Sequence, residues 1–138
     1  MRTLIRLTLG LLLLGAERAS ASEAEEKAAI SAAETWLKLV DGGQAGASWD
    51  EASSQFKAAV DKPAWEKALR SAREPLGKLV SRKLVSRQLT HTLPGAPDGT
   101  YVVLSYQAQF ENKKSAVETI TPMLDSDGRW RVSGYFIR

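Results

Sequence analysis

The sequence predicts an α+β fold in which three N-terminal helices pack on a curved four-stranded antiparallel sheet. Two observations carry this: apolar residues recur at helical spacing as far as Leu76, and β-branched and aromatic runs fill the chain after Gly77. A third gives the layering. All the helices precede all the strands, which segregates the helices to one face of a meander.

The first helix is predicted over "SEAEEKAAISAAETWLKLVDGG", where Ala29, Ala33, Trp36, Leu37 and Val40 share a face. The capping-box pattern Ser22-x-x-Glu25 precedes it, and Gly42 and Gly43 stop it. A second box, Ser48-x-x-Glu51, predicts a helix over "SWDEASSQFKAAV" with Trp49, Ala52, Phe56 and Val60 facing the core. The third begins at Asp61, tolerates Pro63 in its first turn, and carries Trp65, Leu69, Ala72 and Leu76 until Pro75 and Gly77 end it. One tryptophan per helix, plus Trp130 on the last strand, reads as core rather than as an aromatic cage.

The strands follow from "TYVVLSYQAQFE", "SAVETITPML" and "WRVSGYFIR", with "LPGAPDG", "ENKK" and "DSDG" as connections. Runs this long twist and coil, hence the expected curvature. The first strand contains "LVSRKLVSRQL", in which LVSR recurs after five residues. Five is an odd step, so on a regular strand the second copy would face the opposite way. A turn or bulge between the copies is expected, with Leu79 and Val80 closing the helical part, Leu84 starting the strand, and the repeat itself a coincidence. On the fourth strand strict alternation puts Trp130, Val132 and Phe136 on one face and Arg131, Ser133 and Tyr135 on the other.

The strings "WLKLVDGG", "SWDEAS", "PLGKLVSRKL", "LPGAPDGTYVVLSY", "KKSAVETITPML" and "DGRWRVSGYFIR" resemble, in that order, the domain of unknown function family 4019, a family of small exported bacterial proteins. The resemblance covers residues 32 to 138. It implies a cone-shaped, cystatin-like or SnoaL-like fold of the nuclear-transport-factor type. That fold hosts isomerases, dehydratases, dimerisation modules and binders, so the resemblance implies architecture and not activity.

The chain opens with Arg2 and Arg6, an apolar run from Leu7 to Ala16, and Ala19-Ser20-Ala21. This is the pattern of a secretory signal cut after Ala21, leaving a single domain over 22–138 and a periplasmic or secreted address. Ten apolar residues fall well short of the roughly twenty that cross a bilayer, so no membrane span is expected in the mature form. With no cysteine, neither disulfides nor a lipidated cysteine is available. The net charge of +3 falls to +1 beyond the leader, which gives no global pull toward nucleic acid. The charges are unevenly spread: residues 22–61 hold 3 basic and 8 acidic side chains, and residues 62–92 hold 8 basic and 2 acidic. The acidic first helix is the expected counterpart of this basic band, within the chain or across a dimer. No aromatic platform is interleaved with the cations, and no nucleic-acid partner is expected.

His91 is the only histidine, and "DSDG" lacks the continuation of a calcium loop, so no metal or other cofactor is expected. A cone enzyme would use a carboxylate and a tyrosine as base and hydrogen-bond donor. Glu118 is the only carboxylate in mid-strand, and Tyr106 and Tyr135 are the candidate donors. These three are the candidate ligand-binding residues. The bland expectation for Glu118 is an exposed sheet carboxylate paired with Arg129 or Arg131. The sequence therefore favours a non-catalytic exported module that binds a small ligand or an envelope protein, or forms a homodimer through one sheet face, around an apolar interior. The alternative is a small isomerase- or dehydratase-type enzyme.

Overall fold

The computed structural model describes the backbone from Leu7 to Arg138 and side chains from Ala21 onward, so residues 1–6 of the expected leader, and the side chains of residues 1–20, lie outside the described residues. Among the described residues four α-helices precede four strands: α1 (Leu7–Asp41), α2 (Ala45–Asp50), α3 (Ser54–Ala59), α4 (Lys62–Arg73), then a short 3-10 turn, β1 (Leu79–Thr90), β2 (Tyr101–Phe110), β3 (Lys113–Leu124) and β4 (Trp130–Ile137). The strands form one open antiparallel sheet in the order β1-β2-β3-β4.

The helix count differs from the expected three because the second predicted helix is two. Neither capping box opens a helix. Ser22 and Glu25 lie inside α1, and Ser48 is buried inside α2, where its hydroxyl donates to the Ala45 carbonyl at 2.6 Å and accepts the Trp65 indole N–H at 2.9 Å. The chain breaks at Ser53 instead. Its backbone N–H donates to the Val132 carbonyl of β4 at 2.9 Å, and its side chain caps α3 by accepting from the Phe56 N–H. This tie to β4 outweighs helix continuation, and it gives the chain a better cap than the sequence pattern suggested. Asp61 caps α4 through the Ala64 N–H at 2.8 Å, with Pro63 in the first turn as expected.

The core lies between the helices and one face of the sheet. Ala29, Ala33, Trp36, Leu37 and Val40 of α1 meet Val102, Leu104 and Tyr106 of β2, Ile120 of β3 and Val132 of β4. Phe56 packs edge-on against Trp65 with ring centroids 4.8 Å apart, a geometry worth about 0.5–1.5 kcal/mol beyond area burial. The indole N–H groups of Trp36, Trp49 and Trp65 all end on the α2–α3 segment, at Ser48 or Val60. The tryptophans thus pin the short helices as well as fill space. Trp130 and Trp49 are only partly buried, unlike the core tryptophans Trp36 and Trp65.

The LVSR repeat proves structural, and both copies lie in β1. The register runs Leu79↔Phe110 then Ser81↔Gln109, and Leu84↔Tyr106 then Ser86↔Ser105. Val80 and Val85 are therefore extra residues, each the second letter of its copy. One bulge turns a five-residue step into an even one, so Leu79 and Leu84, and likewise Arg82 and Arg87, present the same face. The bulged valines stand out into solvent, 57% and 48% exposed. Another bulge, at Ser133 opposite the step from Thr121 to Pro122, corrects the reading of β4. It sits where proline cannot donate to a ladder. Beyond it Tyr135 turns to the helix-covered face and Phe136 to the open one, reversing the expected alternation.

The Pro/Gly loop between β1 and β2 closes on Tyr101, whose hydroxyl donates to the Pro97 carbonyl at 2.6 Å. A Cβ at Gly99 would lie 3.2 Å from the Tyr101 ring. The "DSDG" segment is a hairpin turn, with the Gly128 N–H bonded to the Asp125 carbonyl and Gly128 at φ 82°. Asp125 also accepts from the N–H and hydroxyl of Ser54, which fastens the turn to α3.

Candidate functional site

Glu118 does not face water. It is 0% exposed on the helix-covered face, and its partner is Arg82, not Arg129 or Arg131. Arg131 is engaged instead by Asp125 and Asp127 at its own hairpin. The parity of β3 places Glu118 with Ala116, Ile120 and Pro122, which are all buried. The parity of β1, set by its bulges, aims Arg82 at the same face. Ala108 of β2 stands opposite Arg82 in the register, and its small side chain leaves the guanidinium room to cross toward β3.

The resulting network joins five elements, α1, α4, β1, β3 and β4. Arg82 grips Glu118 through Nε to Oε1 at 2.6 Å and Nη2 to Oε2 at 3.1 Å. The same guanidinium donates to both oxygens of Asp41, at the end of α1, at 2.8 and 2.9 Å. Arg73 at the end of α4 donates to Asp41 at 2.9 Å. The Tyr135 hydroxyl donates to Glu118 Oε2. Two cations face two anions, so the cluster is neutral as a unit. It separates the main core from a smaller cluster of Ala108, Phe110 and Ala116.

This corrects the expectation of a wholly apolar interior. It also shows where much of the basic band is used: Arg73 and Arg82 pair with Asp41, and Arg87 with Glu26 at 3.3 Å, so both acidic partners lie on α1.

Burial pushes the Asp41 carboxyl up, but the hydrogen bonds and charges of Arg82 and Arg73 together outweigh it and hold it below its ordinary range. Arg82 is disfavoured by burial and then raised by its two carboxylates, so it stays cationic. Burial first, then the charge and hydrogen bond of Glu118, lifts the Tyr135 phenol far above its ordinary value. Tyr106 is pushed up to about 12, mainly by burial and then by the charge of Glu34.

Of the three candidate residues, the structure brings Glu118 and Tyr135 into contact. Tyr106 stands beside Glu118 in the strand register, and its buried hydroxyl has no hydrogen-bond partner among the described residues. Two guanidinium nitrogens of Arg73, Nε and Nη1, are likewise unpartnered, and the group lies over the Phe110 ring at 4.8 Å. The sequence reading missed Arg82, Arg73 and Asp41 as members of the site. They lie 32 to 41 residues from their partners, and only the position of the β1 bulges would have placed Arg82 inward.

A second feature lies at the surface. An open trough of about 640 Å³ runs between α1 and the start of β4, with Trp36, Leu39, Trp130 and Val132 as its apolar lining. Ser31 and Thr35 supply hydroxyls, and Glu51 and Arg129 supply charge. No ion pair within 4 Å engages either Glu51 or Arg129 among the described residues. Small side chains at Ala28, Ser31 and Ala32 keep the α1 wall low. Among the described residues no cluster of three potential metal ligands occurs, and no helix is long and apolar enough to cross a membrane.

No curated protein and no solved structure matches the chain. A family model described as "Protein of unknown function (DUF4019)" matches residues 32–135, from the middle of α1 through Tyr135 of β4. The match takes in the buried network and all of the trough lining except Ala28 and Ser31, and the chain belongs to the DUF4019 family.

Proposed function

We propose that this protein is a non-catalytic binding module of the cell envelope, exported by its N-terminal leader and built as a SnoaL-like cone, that holds a small amphiphilic molecule in the trough between α1 and β4. One observation carries the non-catalytic part. Both oxygens of Glu118 are engaged by Arg82, and one of them also by Tyr135. A general base needs a free lone pair within reach of a substrate proton, and this carboxylate is wholly buried, with three of its roughly four lone-pair sites taken by Arg82 and Tyr135. The trough supports the binding part, since an apolar concavity with a few polar groups is the usual form of a ligand site. Its tryptophans offer flat contact, while Arg129 and Glu51 offer charge at the rim.

The second reading, an isomerase- or dehydratase-type enzyme, draws on the buried Glu118–Tyr135 contact, which is the residue pair such chemistry would use. It requires Arg82 to release the carboxylate during turnover.

Native mass spectrometry of the protein purified from its own compartment tests the proposal. A retained small molecule is expected on the wild type and not on Ala32→Trp, which fills the trough from its exposed wall. A wild type that carries nothing, or a molecule that survives the filled trough, contradicts it.

A further inference from the structure

The two edges of the sheet are protected to very different degrees. β1 carries two bulges and exposes Lys83 and Arg87, devices that keep other strands from pairing with an edge. β4 ends in Gly134-Tyr135-Phe136-Ile137, without charge or proline, and Phe136 is 49% exposed. The Ser53 N–H closes the outer edge of β4 only at Val132. The reciprocal bonds between Val117 and Arg138 fix the ladder phase, so Phe136 faces β3 with its peptide groups while those of Tyr135 and Ile137 point outward. Neither outward residue has a hydrogen-bonded peptide partner elsewhere among the described residues. Beside this open edge lies an apolar groove of about 240 Å³, walled by Ala68, Leu69 and Ala72 of α4.

We infer that β4 pairs antiparallel with β4 of a second copy, about a two-fold axis through Phe136. Tyr135 of each chain then exchanges two main-chain bonds with Ile137 of the other, and the two Phe136 rings meet as a directly opposed pair on the open face. Such cross-strand aromatic pairs are a favoured sheet contact.

Two residues of strand give four main-chain bonds, too little to offset the entropy of association for a lone extended peptide. A stable dimer covers roughly 800 Å² per partner, and only a second copy brings a matching α4 wall as well. That wall suits self-association. Ala68 and Ala72 line the groove and are exposed and uncharged, while Lys67, Arg70 and Glu74 lie around the helix from it, so α4 brings no like charges to the axis; the cation beside it is Arg138, whose guanidinium lies over the Phe136 ring at 5.4 Å. This surface is separate from the α1/β4 trough, and its failure would leave the ligand proposal standing.

The absence of native cysteine makes a direct test available. Opposed residues in a non-hydrogen-bonded antiparallel pair have Cα atoms about 4.5 Å apart, within the range a disulfide spans. Full-length protein expressed with its leader and recovered from the periplasm should sediment as a dimer at micromolar concentration. Phe136→Cys should oxidise to a covalent dimer in high yield, with Val80→Cys on the opposite edge remaining monomeric under the same oxidant. Ile137→Pro, which deletes one outward N–H, should weaken the dimer at least tenfold. A wild type that is monomeric at every concentration, or a Phe136→Cys dimer whose thiols stay reduced, overturns the proposal.

Discussion

The buried tyrosines show how one residue's surroundings fix its chemistry. Tyr135 donates to Glu118 in a dry setting where a phenolate beside a carboxylate would be strongly disfavoured, and Tyr106 sits near the same carboxylate and Glu34. Both phenols are raised in the folded protein, Tyr106 to about 12. A raised folded value favours the protonated form, so this contribution to stability is complete below the ordinary phenol range near pH 10 and is lost as pH rises through the folded values. Ultraviolet titration at constant temperature should show delayed ionisation, and Tyr106→Phe and Tyr135→Phe should each remove one late-titrating group. Early, independent ionisation of either in folded protein would contradict the burial described here.

At the scale of the element, β1 is the instructive case. Its five-residue repeat looked incidental because a strand has period two, yet each copy donates its valine to a bulge and so restores the phase. Deleting Val85 should leave the residues on both sides of it on their present faces, because a ladder without the bulge pairs Leu84 and Ser86 with the same partners, whereas inserting an alanine after Lys83 should shift every residue on one side of it to the wrong face and lower the melting temperature by many degrees. Thermal unfolding of the two variants checks this. The α+β order, the four strands and the start of a helix at Asp61 were legible in the sequence, which also singled out Glu118, Tyr106 and Tyr135 without ranking the two tyrosines. The break at Ser53, the facing of Phe136 and the membership of Arg82 were not. Each depends on a bulge or a long-range backbone bond that leaves no periodic trace, and the Ser48 capping box had the right letters at a position claimed by two tryptophans.

For the molecule as a whole, the Arg82–Glu118–Asp41–Arg73 network fastens α1 and α4 to the sheet from inside. Such networks are costly to desolvate and costlier to break, because removing one partner strands the other in a dry interior, typically at about 3–5 kcal/mol. Glu118 belongs to this fastening, and binding is proposed for the surface trough. The most direct test is a double-mutant cycle in urea on Arg82→Met and Glu118→Gln. Each single variant should lose about 3 kcal/mol or more and the pair together far less than the sum, because the two residues serve one interaction. A Glu118→Gln protein as stable as wild type, its loss confined to some catalytic turnover, would contradict the account.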